Sequence, residues 1–170
     1  MRLSLLLSFA ALLSASALPA CTGSRATTSA GGPAATVTPA TAAATAPVLI
    51  FGRTPCFGKC PHFIARVFAD GRVEYEGFRY APVEGKREAK LRPETVRSLL
   101  QAAEKAGFRQ MQDTYSSGAS DMPSTGLTIT YPDGTTKSVR AEDNVPAELQ
   151  SLFTRINAEI DQALGVAGDR

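Results

Sequence analysis

The pattern of apolar and polar positions changes character twice along this chain. Met1-Arg2 is followed by an apolar run over residues 3–13, a short stretch of small residues, and then Leu18-Pro19-Ala20-Cys21. A charged start and a short apolar middle read as a secretory signal peptide over residues 1–20, too short to cross a bilayer as a helix. Residues 22–47 then lose all hydrophobic periodicity. From Val48 onward the pattern becomes that of a folded domain, expected over residues 48–165 with a short tail at 166–170.

Within that domain the first half alternates with period two. Strands are expected at 48–53, 63–69, 72–77 and 83–91, with Asp70-Gly71 as a hairpin turn between the second and third. In the third, Val73 and Tyr75 fall on one face and Arg72, Glu74 and Glu76 on the other, so the sheet has one wet face. The period then lengthens. Pro93 opens a helix whose Val96, Leu99, Leu100 and Ala103 share a side, and Gly107 stops it. Two further strands, 126–131 and 135–140, flank Pro132-Asp133-Gly134. A second helix over 146–164 carries Leu149, Leu152, Phe153, Ile156 and Ile160 as one apolar stripe, which is core. The expected class is α+β: an antiparallel sheet of five or six strands with two helices on one face, in the order β-β-β-β-α-β-β-α.

Composition changes the picture at the N-terminal side. Residues 22–47 are Ala, Thr, Ser, Gly and Pro apart from Arg25 and Val37. Such a segment has too little apolar surface to fold. As a flexible coil its 26 residues would span about 30 Å, which makes it a tether. Charge removes one class of partner. Without residues 1–20 only Arg2 is lost, leaving 17 basic against 16 acidic residues. That balance, with no basic cluster interleaved with aromatics, argues against nucleic acid.

The three cysteines divide by context. Leu18-Pro19-Ala20-Cys21 resembles the lipobox of bacterial lipoproteins, with Pro19 where a small residue is usual. The resemblance implies that Cys21 is acylated, becomes the mature N-terminus and anchors the chain through three acyl chains, enough for stable membrane attachment. Thr22 in the next position then points to the outer membrane, facing the periplasm. Secretion with ordinary cleavage is the other reading.

Cys56 and Cys60 lie in Thr54-Pro55-Cys56-Phe57-Gly58-Lys59-Cys60-Pro61-His62, the stretch densest in unusual chemistry. In an oxidising compartment they form an even pair, and a disulfide would staple the turn between two strands, with Gly58 supplying conformational freedom. Two alternatives stay open. Cys56, Cys60 and His62 could hold copper(I), which accepts thiolates and an imidazole, and the pair could serve thiol exchange. Structural zinc would need a fourth ligand from elsewhere.

Several of these motifs carry a resemblance. Residues 53–61 with their Cys-Phe-Gly-x-Cys-Pro core, Asp70-Gly71 followed by Val73-Glu74-Tyr75-Glu76-Gly77, Ala106-Gly107-Phe108, Tyr115, and Asp121-Met122-Pro123-Ser124-Thr125 resemble a family of bacterial envelope proteins known as domain of unknown function 6438. The family carries no activity to transfer. Phe63 stands where that family usually has Tyr, and His62 falls on a position the family pattern leaves open. The Cys-x-x-x-Cys-Pro spacing also resembles the thioredoxin-like Sco copper chaperones. There the motif leads into a helix and a distant histidine completes the site, whereas here it leads into a strand.

No catalytic constellation emerges, and no cofactor is implied. A hydrolytic triad would have to use His62, whose neighbours offer no oxyanion hole. The long polar loop over 110–124 is the other candidate, with Tyr115 and Asp121 as its binding residues. The bland reading is that Tyr115 plugs the sheet edge and Asp121 caps its own turn. Two function classes remain. One is a lipid-anchored, non-catalytic binding or structural module of the envelope whose partner is an envelope protein or a small ligand. The other is a thiol redox or copper-handling protein.

Overall fold

Alternation along the strands sorts their side chains onto two unlike faces. The computed structural model describes residues 46–166; the expected signal segment, Cys21, nearly all of the expected tether and the end of the expected tail lie outside the described residues. Strands β1 (Leu49–Arg53), β2 (Phe63–Val67), β3 (Arg72–Gly77), β4 (Gly85–Lys90), β5 (Thr114–Tyr115), β6 (Thr125–Thr130) and β7 (Thr136–Ala141) form one sheet in the order β4-β3-β2-β1-β6-β7-β5. Helices α1 (Pro93–Lys105) and α2 (Ala147–Ala163) supply the second layer. Leu49, Phe51, Phe63, Ala65, Val67, Val73, Tyr75, Leu127, Ile129 and Val139 share one core cluster with the helix residues Val96, Leu99, Leu149, Phe153 and Ile156.

Phe51 is the hub of that core. It is fully buried, and its ring meets Phe63 at 6.0 Å and Phe153 of α2 at 5.9 Å. These tilted contacts tie the central strand to the helical layer. Helix α1 starts as its sequence dictates, with Pro93 in the first turn, where a missing N–H costs nothing. Glu94 lies at the positive end of the helix and Lys105 at the negative end. Gly107 takes φ +69° immediately beyond the end.

The sheet is larger than expected and is mixed. All neighbours pair antiparallel except β5, which runs parallel to β7. The expected five or six antiparallel strands therefore become seven, one of them parallel. A two-residue strand has no period to read, and β5 is made by long-range backbone bonds. Arg140 N donates to Asp113 O at 2.8 Å and Glu142 N to Tyr115 O at 2.9 Å. The two tight turns are where the sequence puts them. At Gly71, φ is +90° and an added Cβ would stand 2.1 Å from Leu91 O, so both conformation and space exclude a side chain.

The register also sorts the ends of the sheet. Arg53 pairs with Phe63 and Thr125, and Phe63 pairs with Gly77. The loops 54–62, 78–84 and 116–124 therefore leave the sheet at one end. The chain enters β1 at the opposite end, beside Val67 and Ile129. Strand β4 closes one edge with Lys86, Arg87, Glu88 and Lys90, all exposed, a charged strand that discourages pairing with another chain.

Candidate binding site

The loop between β1 and β2 is fixed at both ends by hydrogen bonds to its neighbours. Thr54 N donates to Ser124 O at 2.9 Å, the two hydroxyls meet at 2.9 Å, and Ser124 N donates back to Thr54 Oγ1 at 2.9 Å. Ser124 is buried, so this exchange satisfies its polar atoms. At the other end His62 N donates to Arg79 O at 3.3 Å and Phe78 N to His62 O at 2.8 Å. The His62 imidazole stacks on Phe78, with ring centres 4.3 Å apart.

Between these anchors Cys56 and Cys60 come together with sulfurs at bonding distance and Cα atoms 5.6 Å apart. Gly58 N donates to Cys56 Sγ at 3.2 Å. Gly58 itself is absent from the positive-φ residues, and an added Cβ would meet only Cys56 Sγ, at 3.7 Å. The expected demand for glycine flexibility at this position is thus not met. The chain closes the ring with ordinary backbone angles.

Phe57, at the tip, is 96% exposed. It does not stand alone. The strand order places the β3–β4 loop on one side, with Phe78 37% and Tyr80 43% exposed, and the β5–β6 loop on the other, with Met122 40% exposed. A row of apolar groups thus crosses the end of the sheet. Tyr80, Asp121 and Asn144 are the described non-glycine residues with positive φ, at +61°, +63° and +51°. All three belong to connections at this end, and such strain gathers where a surface is shaped for contact. The tip residue Phe57 was the signal to read in the sequence: an aromatic between Pro55 and Gly58, in a ring too small to bury it.

The other predicted candidates separate. Tyr115 lies half-buried in β5 against the core, and its hydroxyl accepts from Gln112 N at 3.2 Å, so it serves the sheet edge. Asp121 is exposed in the loop that follows. Around the cysteine pair, no group of three or more His, Cys, Asp and Glu side chains able to hold a metal occurs among the described residues.

A second feature adjoins the tip, on the face of the sheet turned away from the helices. Its β2–β3–β4 half is charged, with Arg66 opposite Glu74, Glu74 opposite Glu88 and Glu76 opposite Lys86. The β1–β6–β7 half is different. Gly52 lies beside Gly126, Ile50 beside Thr128, and Thr128 Oγ1 meets Ser138 Oγ at 2.8 Å. These residues floor an open trough of about 660 Å³, within the usual ~300–1,000 Å³ of small-ligand sites.

Of the charged residues around the trough, Arg140 lies opposite Gly126 on the open face, whereas Arg53 and Lys137 have the strand parity of the buried Phe51 and Val139 and leave their strands on the helix side. Lys137 pairs with Asp113 and donates to Met111 O at 2.6 Å, and Arg140 pairs with Glu142 at 2.8 Å. Arg53 differs, because its Nε is buried without a hydrogen-bond partner and no ion pair engages it among the described residues. Sequence reasoning missed the trough, since Gly52 and Gly126 are neighbours only through the β1–β6 register.

The family model described as "Domain of unknown function (DUF6438)" matches residues 47–160, the span that forms the sheet and both helices. No curated protein matches the chain.

Proposed function

Because this chain belongs to the family described as a domain of unknown function (DUF6438), its role has to be read from its own surface, and we propose that it is a non-catalytic binding module of the bacterial cell envelope. In this reading Cys21 is acylated, residues 22–47 are the tether, and the disulfide-stapled tip meets an envelope partner from the periplasmic side of the outer membrane. The observation that carries it is Phe57, a large apolar side chain 96% exposed on a loop pinned at both ends. A rigid, protruding aromatic pays little ordering entropy on docking, which is the property of interface anchors.

The sheet ends support the arrangement. The tether joins β1 at the end opposite the tip, so an anchored chain would present Phe57, Phe78 and Met122 away from its point of attachment. The test is photo-crosslinking in the native host. A photoreactive residue replacing Phe57 should give discrete adducts, and one replacing Asp133, at the other end, should give none. Equal labelling at both positions would defeat the reading.

A further inference from the structure

The row of exposed apolar groups at the end of the sheet carries unlike charges at its two poles. On the β3 side stands Arg79, with Lys59 next to Phe57 in the adjoining loop, and both are exposed. On the β6–β7 side stand Asp121, exposed, and Asp143, half-buried. None of these four charges is in an ion pair among the described residues. Glu84 lies farther out, where the β3–β4 loop enters β4, and Glu142 is already neutralised by Arg140 at 2.8 Å.

The open charges are held in position by uncharged groups. Arg79 lies over the Tyr80 ring, its guanidinium carbon 5.2 Å from the ring centre, and donates to the Tyr80 hydroxyl at 3.1 Å. Asp143 accepts from Ser117 N at 2.6 Å on one oxygen and from the Ser117 hydroxyl on the other. Each contact fixes a charge without cancelling it. The positive-φ residues fall at the same two poles, Tyr80 at one and Asp121 and Asn144 at the other.

An apolar centre within a charged rim is the make-up of a protein interface. A surface that is positive at one pole and negative at the other is complementary to itself after half a turn. The chain's formal net charge of +2 sets little long-range repulsion against such a meeting.

We infer that the partner met by the tip is a second copy of this chain, bound across a two-fold axis beside Phe57, with Arg79 of each copy facing Asp121 and Asp143 of the other. Met122 of one copy then lies toward Phe78 and Tyr80 of its mate. Pairing neutralises charges that a single chain leaves open and covers apolar groups that it leaves wet. The inference rests on the binding-module reading and names its partner. The contact closes on itself and does not extend the sheet, whose edges are the charged β4 and the two-residue β5.

The test is sedimentation equilibrium of the full chain with Cys21→Ser, so that neither an acyl group nor a spare thiol joins copies. The parent should form a closed dimer as its concentration rises. Raising salt from about 0.1 to about 1 M shortens the screening length from about 10 to about 3 Å and should weaken the dimer. Phe57→Ser should weaken it at least about tenfold, as for a central aromatic anchor. Arg79→Asp and Asp121→Lys should each melt cooperatively yet stay monomeric where the parent is paired, because like charges then face each other. An equimolar mixture of the two should pair again, since both contacts of the mixed dimer join opposite charges. A parent that stays monomeric, a dimer indifferent to Phe57→Ser, or a mixture that fails to pair would overturn the assignment. In the native host the photoreactive residue at position 57 should give an adduct of twice the chain's mass. Adducts to a different protein alone would overturn this inference and leave the binding-module reading standing.

Discussion

At the scale of single residues, space and exposure separate positions that look alike in sequence. Gly77 closes β3 with an ordinary φ, yet an added Cβ would fall 1.8 Å from Val83 O. Gly77→Ala must push the 78–84 loop away, and a loss of about 1–3 kcal/mol in urea unfolding is expected, as for other overpacked sites. Phe57→Ser, at an exposed tip, should stay within about 0.5 kcal/mol of the parent. Asp133 gives the pH counterpart. The hydroxyl and the N–H of Thr135 donate to Oδ1 at 2.6 and 2.9 Å and Arg109 donates to Oδ2 at 2.9 Å, which holds the carboxyl at about 2, below its ordinary value of 3.8. A depressed folded value stabilises the protein above the unfolded one, and that share is lost as pH falls from about 4 through about 2. The melting-temperature gap between the parent and Asp133→Asn should therefore be open at pH 6 and close by pH 2. The turn at Pro132-Asp133-Gly134 was legible in the sequence. Arg109 was not, because its partners Glu104, Asp133 and the Tyr131 ring, 3.5 Å beneath it, meet only in the fold.

At the scale of elements, legibility followed periodicity. Both helices and most of the longer strands were readable because each repeats its apolar spacing, while the charged β4, with Ala89 as its one apolar side chain, lacks that signal; the ends of all of them fell within a few residues of expectation. Strand β5 was not readable, since it has two residues and its direction is imposed by β7. The β1–β2 loop lies between these cases. Its chemistry was plain in Cys-x-x-x-Cys-Pro, whereas its anchoring by Ser124 and Arg79 depends on strands distant in sequence. That anchoring bears on the disulfide. With both ends of the loop held independently, Cys56→Ser with Cys60→Ser should cost on the order of 2 kcal/mol and leave a folded domain. A structural bond should also resist reduction, with a midpoint below about −300 mV. A midpoint above about −230 mV, or stoichiometric copper(I) uptake by the reduced chain that is lost in His62→Ala, would instead favour thiol or copper chemistry.

At the scale of the whole molecule, the core begins almost at the first described residue. Leu49 is 1% exposed, and Val48 N donates to Val67 O at 2.9 Å while Val48 O accepts from Thr130 N at 3.0 Å. The chain is thus clamped between β2 and β6 from Val48, the residue before β1. Residues 22–47 offer no apolar side chain larger than Val37 to add to the core. Folding stability should accordingly reside in the sheet and its two helices. A chain beginning at Ala46 is expected to melt within a degree or so of one beginning at Cys21, because ordering an Ala/Thr/Pro segment would cost conformational entropy that its small side chains cannot offset. Scanning calorimetry of the two forms, both unacylated, is the measurement. A fall of several degrees in the shorter form would show that part of residues 22–45 docks on the sheet. The open trough would be the first place to look for it, and the loss should then be reproduced in the longer chain by Gly126→Val, which removes the floor without disturbing the core.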